Sequence, residues 1–222
     1  MFMPTFSALS SQAARAVNCA TWGFCLPIAF PIDGDRALDD LFVRFLGGRA
    51  LYEDCCVSSR IDDDPAEPNG LSSAERLAIW IYSSTDQHWY ERINGELWSP
   101  SCSTEVQQFS EILNVALRKL PTHDGIVHRG YYAADLDEFC ETYDVGIVVR
   151  WPGFTSTSAV REEAFPGNVL FTIRSYSGRI LGLYADKPSE REILFPSGTR
   201  YRVTFMERDD DVVVIELEEY AA

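Results

Sequence analysis

Two hydrophobic periods divide this chain of 222 residues at Pro121. In 104–120, Val106, Phe109, Leu113, Ala116, Leu117 and Leu120 recur at three- and four-residue intervals, the spacing of a helix that buries one face. Pro121 stops the run, since proline cannot continue a helix. Earlier, "LDDLFVRFLGG" (38–48) predicts a helix that ends at its glycine pair, and "RIDDDPAEPNG" (60–70) a surface loop. Ser72 and Glu75 stand in capping-box spacing at the start of a helix through "ERLAIWIYSS", and a further helix is expected over roughly 86–97.

After Pro121 the pattern changes to β-rich runs: 125–132, 145–151, 168–175, 192–196, 200–206 and 212–220. The last two flank "ERDDD", a plausible hairpin loop. Helices first and strands afterwards predict an α+β domain with a mainly antiparallel sheet, not a doubly wound α/β sheet. No G-x-G-x-x-G or P-loop pattern occurs, so neither dinucleotide fingerprint is supported.

Composition narrows the function. With 46% hydrophobic and 13% aromatic residues the chain has material for a proper core. A formal net charge of −15 argues against a surface that tracks nucleic acid, and weakly favours a basic protein partner. The six cysteines include no C-x-x-C pair and the three histidines lack zinc spacing, so no metal is expected and the thiols read as free. Residues 1–35 have an apolar part broken by Asn18, Gly23 and Pro27 and no basic start. Neither a cleavable signal peptide nor a membrane span is expected there, and a leader used for export is compatible with the composition. Residues 36–222 are expected to be a single domain, helical over 36–120 and β-rich over 121–222.

Three short features carry chemistry. Glu190 and Glu192 precede an apolar run, and in extended backbone they would face the same side. Like charges held close raise each other's pKa, so the pair is either solvated or used. Arg129 lies inside an apolar strand, where a guanidinium needs an anion: a phosphate or an internal carboxylate. "GFTSTS" (153–158) places four hydroxyls after a glycine and an aromatic, able to turn the chain or to orient a carboxylate.

Together and in this order, "HRG", "FTSTS" and "EREILFPSGTRYRV" resemble the arginine–serine–glutamate class of mono-ADP-ribosyltransferases, bacterial arginine-specific effectors and toxins among them. The upstream "YSSTDQHWYERINGEL" (82–97) is similar to the helical segment before the core in that family, and the resemblance covers about 71–206. It implies two packed antiparallel sheets with helices flanking an NAD cleft, and NAD as co-substrate without a metal. Glu192 would stabilise the oxocarbenium character that develops on the ribose as nicotinamide leaves. Ser156 would hold Glu192 and NAD, and Arg129 would grip the phosphate side. Glu190 would orient an acceptor guanidinium, since Glu at that position accompanies arginine acceptors in the family. The resemblance also assigns Gly130, Thr157 and Ser158 to the cofactor site. It places the family's phosphate–nicotinamide loop at 159–168, with Arg161 and Phe165 as contacts unless they are simple surface residues, and the acceptor loop at 184–192.

The implied activity is transfer of ADP-ribose to an arginine of a target protein by a secreted effector acting in the cytoplasm of a target cell. An immunity protein or export chaperone would be a further partner. NAD glycohydrolysis, or a non-arginine or nucleic-acid acceptor, is the alternative.

Overall fold

Amphipathic spacing before Pro121 and alternation after it become helices and strands respectively. The computed structural model describes residues 35–59, 68–85 and 87–220. The expected leader up to residue 34 and most of the 60–70 loop lie outside the described residues. The described chain forms two compact units, a helical one from residues up to 121 with 181–189, and a β-rich one from 122–180 and 190 onward.

The helical unit contains α1 (Asp35–Leu46), α2 (Arg49–Ser58), α3 (Ser73–Ser83), α4 (Trp89–Trp98) and α5 (Thr104–Lys119). The capping box forms as expected: Glu75 N donates to Ser72 Oγ at 3.3 Å and Ser72 N to Glu75 Oε2 at 2.6 Å. Glu75 is buried, so its charge needs more than a cap, and Lys119 Nζ donates to it at 2.7 Å from the last turn of α5. The helical face read from the sequence is the core face: Phe109, Leu113 and Leu117 are fully buried, and Phe45 stacks on Phe109 at 4.5 Å. Residues 181–189 belong to this unit through buried Leu181 and Ala185. Asp186 N donates to Ser83 Oγ at 2.8 Å, and Asn69 Nδ2 to Tyr184 Oη at 2.8 Å.

The β-rich unit runs β1 (Gly125–Tyr131), α6 (Leu136–Cys140), β2 (Val148–Arg150), β3 (Thr155–Ser158), β4 (Val169–Ser175), β5 (Arg179–Ile180), β6 (Glu192–Phe195), β7 (Arg200–Asp209) and β8 (Val212–Glu219). Each expected run contains a strand. The hairpin loop is shorter than expected, because β7 continues to Asp209 and only Asp210 and Asp211 turn. Asp210 takes φ 46°, the left-handed conformation that a short polar side chain tolerates. Three elements after Pro121 escaped the pattern: α6 and β5, too short to show a period, and β3, the hydroxyl-rich "TSTS".

The strands form one hydrogen-bonded order, β2-β7-β8-β4-β1-β3-β6-β5, antiparallel except for β4 with β8. Its weak point is central. β1 pairs β4 over all seven residues, but β1 and β3 share a single register pair, His128 with Ser158. The five strands on one side and the three on the other are therefore two sheets joined by a thread, as the family resemblance implies. They also face each other: Phe195 of β6 meets Tyr201 of β7 edge-on at 5.5 Å, although the two strands are far apart in the sheet order. Trp151 and Phe171 extend that core, with Trp151 at 4.7 Å from Tyr201 and 5.1 Å from Phe171.

Phe195 is fully buried at this closure. Phe195→Ala is expected to cost about 3–4 kcal/mol, seen as a lowered urea midpoint at unchanged slope. A change within about 0.5 kcal/mol would mean that the two sheets do not depend on this contact.

Candidate active site

The site begins with the two faces of β3. Thr155 and Thr157 are buried and β-branched, and suit a pleated core face. Thr157 Oγ1 donates to the Ile193 carbonyl at 2.7 Å, which commits that hydroxyl to the β3–β6 ladder. Ser156 and Ser158 alternate to the other face. Ser158 stands opposite Glu192 in register, and its Oγ accepts from Val160 N at 3.0 Å, tying down the start of the following loop. Ser156, opposite Leu194 and diagonal to Glu192, makes a side-chain hydrogen bond with Glu192. The hydroxyls of β3 thus separate: Ser156 reaches the carboxylate, Ser158 caps a loop, and Thr155 and Thr157 are not brought into the group.

Glu192 opens β6 and is half-buried. Removal from water raises its carboxyl, the Ser156 hydroxyl opposes that, the nearby Glu190 charge raises it again and Arg129 lowers it; it is pushed up to about 7. Glu190 gets there by a different route from the one the pattern suggested. Extended backbone through 190–192 would align the two acids by strand alternation. Instead Glu190 ends a 3₁₀ turn, Pro188–Glu190, and Arg191 takes φ 48° before β6 begins at Glu192. A left-handed non-glycine residue costs about 1–2 kcal/mol, and here it turns an exposed carboxylate toward a half-buried one.

Within the chain, Arg129 meets a backbone carbonyl and lies close enough to Glu192 for its charge to be felt there. Its Nη1 donates to the backbone carbonyl of Ser156 at 2.7 Å. That carbonyl lies just beyond the single β1–β3 pair, so the guanidinium supplies a hydrogen bond to β3 where the ladder has ended. Its charge also reaches the Glu192 carboxyl and the Tyr131, Tyr143 and Tyr201 hydroxyls. One side chain therefore holds the strand that carries Ser156 and favours the ionised form of Glu192.

Residues 159–168 cross the far end of β1. Arg161 begins a 3₁₀ turn, Arg161–Glu163, and is exposed, as is Phe165 at 46%. His128, which the sequence reading did not single out, faces this segment. Desolvation lowers its pKa first and the Arg161 charge second, against a smaller upward pull from Glu162. Its signal was present only as the first letter of "HRG"; the register opposite Ser158 puts it on the Glu192 side of the sheet. Gly130 is buried beneath the Phe165–Pro166 backbone.

Comparison with known proteins agrees with this geometry. A model of the family "NAD:arginine ADP-ribosyltransferase" matches residues 55–222. Mav of Mycobacterium avium (strain 104) is 34% identical over 138 residues, 60% of this chain and 16% of Mav. The NAD(+)–protein-arginine ADP-ribosyltransferase Tre1 of Serratia proteamaculans (strain 568) is 31% identical over 124 residues, 55% of this chain and 27% of Tre1. The chain thus spans a minor part of the length of these relatives. Among solved structures, the type III effector XopAI of Xanthomonas axonopodis pv. citri superposes with a TM-score of 0.69 at 19% identity, covering 86% of this chain and 90% of the other, which establishes the shared fold. With the family model spanning 55–222 and the Arg129–Ser156–Glu192 arrangement in place, the chain belongs to the NAD:arginine ADP-ribosyltransferase family.

Proposed function

We propose that the chain transfers ADP-ribose from NAD to an arginine side chain of a target protein, releasing nicotinamide. The observation that carries this reading is the Glu192 carboxyl, held by Ser156 and flanked by Glu190 and Arg129. The residues suit NAD chemically. Breaking the nicotinamide–ribose bond puts positive charge on the ribose, and Glu192 is a carboxylate placed in a partly desolvated site to meet it. Arg129 has a planar fork with more N–H groups than the Ser156 carbonyl takes, suited to a phosphate. Glu190, exposed beside Glu192, can receive an acceptor guanidinium with two parallel hydrogen bonds and accept its proton. The net charge of −15 favours encounter with a basic protein face that bears such an arginine. The fold shared with a type III effector supports a role as an effector on proteins of a target cell.

The proposal is tested by incubation with labelled NAD and either agmatine, a small guanidine, or a cell lysate, followed by mass spectrometry of the modified residue. Label on arginine is expected. Nicotinamide release with no labelled acceptor would make the chain a glycohydrolase. Glu190→Ala separates the two chemistries in one protein, because it removes the acceptor-side anion and leaves Glu192, Ser156 and Arg129. Arginine labelling is expected to disappear while nicotinamide release into water persists. Parallel loss of both would assign Glu190 to the NAD side.

The raised carboxyl sets a pH dependence. Glu192 works as an anion, so kcat/KM for NAD is expected to rise with pH through about 7. Ser156→Ala removes a hydrogen bond that lowers this pKa and should move the limb upward; Glu190→Gln removes a charge that raises it and should move the limb downward. A limb that stays put in both variants would assign it to another group.

Stability follows with the opposite sign. From an unfolded value of about 4.3, the unfolded chain loses this proton as pH rises while the folded one retains it up to about 7. The fold therefore loses stability across that window, by roughly 4 kcal/mol, and the loss is complete above it. Glu192→Gln is expected to cost at least 10²-fold in turnover yet to unfold at higher urea than wild type at pH 8, with the advantage gone at pH 4. Equal midpoints at pH 8 would show that Glu192 is not strained by ionisation.

A further inference from the structure

The segment 159–168 is tied down at one end by contacts that neither composition nor spacing announces. A methyl group added at Gly130 would lie 1.8 Å from the Phe165 carbonyl oxygen and 2.8 Å from the Pro166 carbonyl carbon. One at Gly167 would lie 2.2 Å from the Tyr131 carbonyl oxygen and 2.5 Å from the Tyr131 nitrogen. Every one of these neighbours is backbone, which has no rotamer by which to give way. Only glycine at both positions lets the loop lie directly on the strand. The next residue completes the attachment. Asn168 Nδ2 donates to the Ala133 carbonyl at 2.8 Å, and Ala133 N donates to Asn168 Oδ1 at 2.8 Å. A side-chain amide thus pairs with Ala133 as a neighbouring strand would, two residues beyond the end of β1. The backbone of Asn168 is occupied as well, its carbonyl accepting from Val213 N at 2.8 Å.

We propose that Gly130, Gly167 and Asn168 are positioning residues that latch the C-terminal root of 159–168 onto the end of β1, and so hold Phe165 and Arg161 in place for NAD. The inference rests on the reading of the site as an NAD site. Its physical content is pre-organisation: a loop already ordered in the free protein has less conformational freedom to lose when a ligand binds. The latch is one-sided. Its root is fixed at 165–168, whereas at its start Ser158 Oγ accepts from Val160 N and the side chains of Arg161, Glu162 and Glu163 between them are exposed. The segment runs along β1 in the strand's own direction, Arg161 acting on His128, Phe165 over Gly130 and Gly167 against Tyr131.

Asn168→Ala removes the paired hydrogen bonds without touching Arg129, Ser156, Glu190 or Glu192. Two hydrogen bonds of ordinary net worth correspond to roughly tenfold or more in an equilibrium constant. Calorimetric titration of NAD into protein also carrying Glu192→Gln, so that turnover does not intrude, is expected to give about tenfold weaker binding. In the otherwise wild-type background KM should rise with kcat changed by no more than about threefold. Asn168→Asp should rescue neither, because a carboxylate accepts from Ala133 N but repels the Ala133 carbonyl. Phe165→Ala should weaken NAD binding in the wild type and add little in Asn168→Ala, since the latch acts through the loop.

Unchanged NAD affinity in Asn168→Ala, rescue by Asp, or additive effects of Phe165→Ala and Asn168→Ala would each overturn the latch. Should the variant fail to fold, amide exchange in the wild-type protein still decides: Ala133 N, bonded to the Asn168 side chain, is expected to be protected, and exchange at the rate of an exposed loop amide would overturn the proposal. A chain that binds NAD with this dependence but releases no nicotinamide would overturn the proposed function and leave the latch standing.

Discussion

The β-rich unit depends on where a ladder stops. β1 and β3 pair at His128 and Ser158 and then part, and at that point Arg129 reaches the Ser156 carbonyl. Buried backbone carbonyls require donors, and a guanidinium supplies one without closing the gap that a further strand pair would close. The opening between the strands and the placement of Ser156 are therefore one feature. Because Ser156 in turn contacts Glu192, the hydrogen bond from Arg129 governs the carboxylate at one remove.

Around Glu192 the structure carries costs rather than gains. The carboxyl is removed from water, a second carboxylate is turned toward it, and the residue between them takes a left-handed conformation. None of these stabilises the fold. Each is tolerated because the surrounding β6 is firmly held: Ile193, Leu194 and Phe195 are buried, Thr157 bonds the Ile193 carbonyl, and β3 and β5 flank the strand. Local strain at a site that over-determined packing sustains is a common arrangement for chemistry that needs a charge in a poorly solvated place.

The helical unit shows the contrasting economy, in which polar groups are consumed by structure. Glu75, as buried as a core residue, serves the Ser72 cap and the Lys119 ammonium. Residues 181–189 are held by Ser83 at Asp186 and by Asn69 at Tyr184, while Leu183, just before these anchors, stands 90% exposed. The projection of Leu183 follows from where the buried residues fall, at Leu181 and Ala185 on either side of it.

Local order was legible in the chain wherever a period or a cap was long enough to be unambiguous. The α5 face, the Ser72–Glu75 box, the long strands and the α+β class follow from spacing alone, because burial of one face imposes a period on a whole element. Arg129, Ser156, Glu190 and Glu192 were legible as a set through their order along the chain. Short or polar elements were not: α6 spans barely more than a turn, and β3 carries hydroxyls on both faces, so no hydrophobic contrast marks it. Tertiary structure alone decided that Thr157 turns to the core while Ser156 meets Glu192, since strand register, not residue type, selects the face. It also decided that Glu190 approaches through the left-handed Arg191, and that Asn168 serves as a surrogate strand for Ala133. Those outcomes depend on backbone from distant parts of the chain arriving within a hydrogen bond of one another, and a one-dimensional pattern carries no record of that meeting.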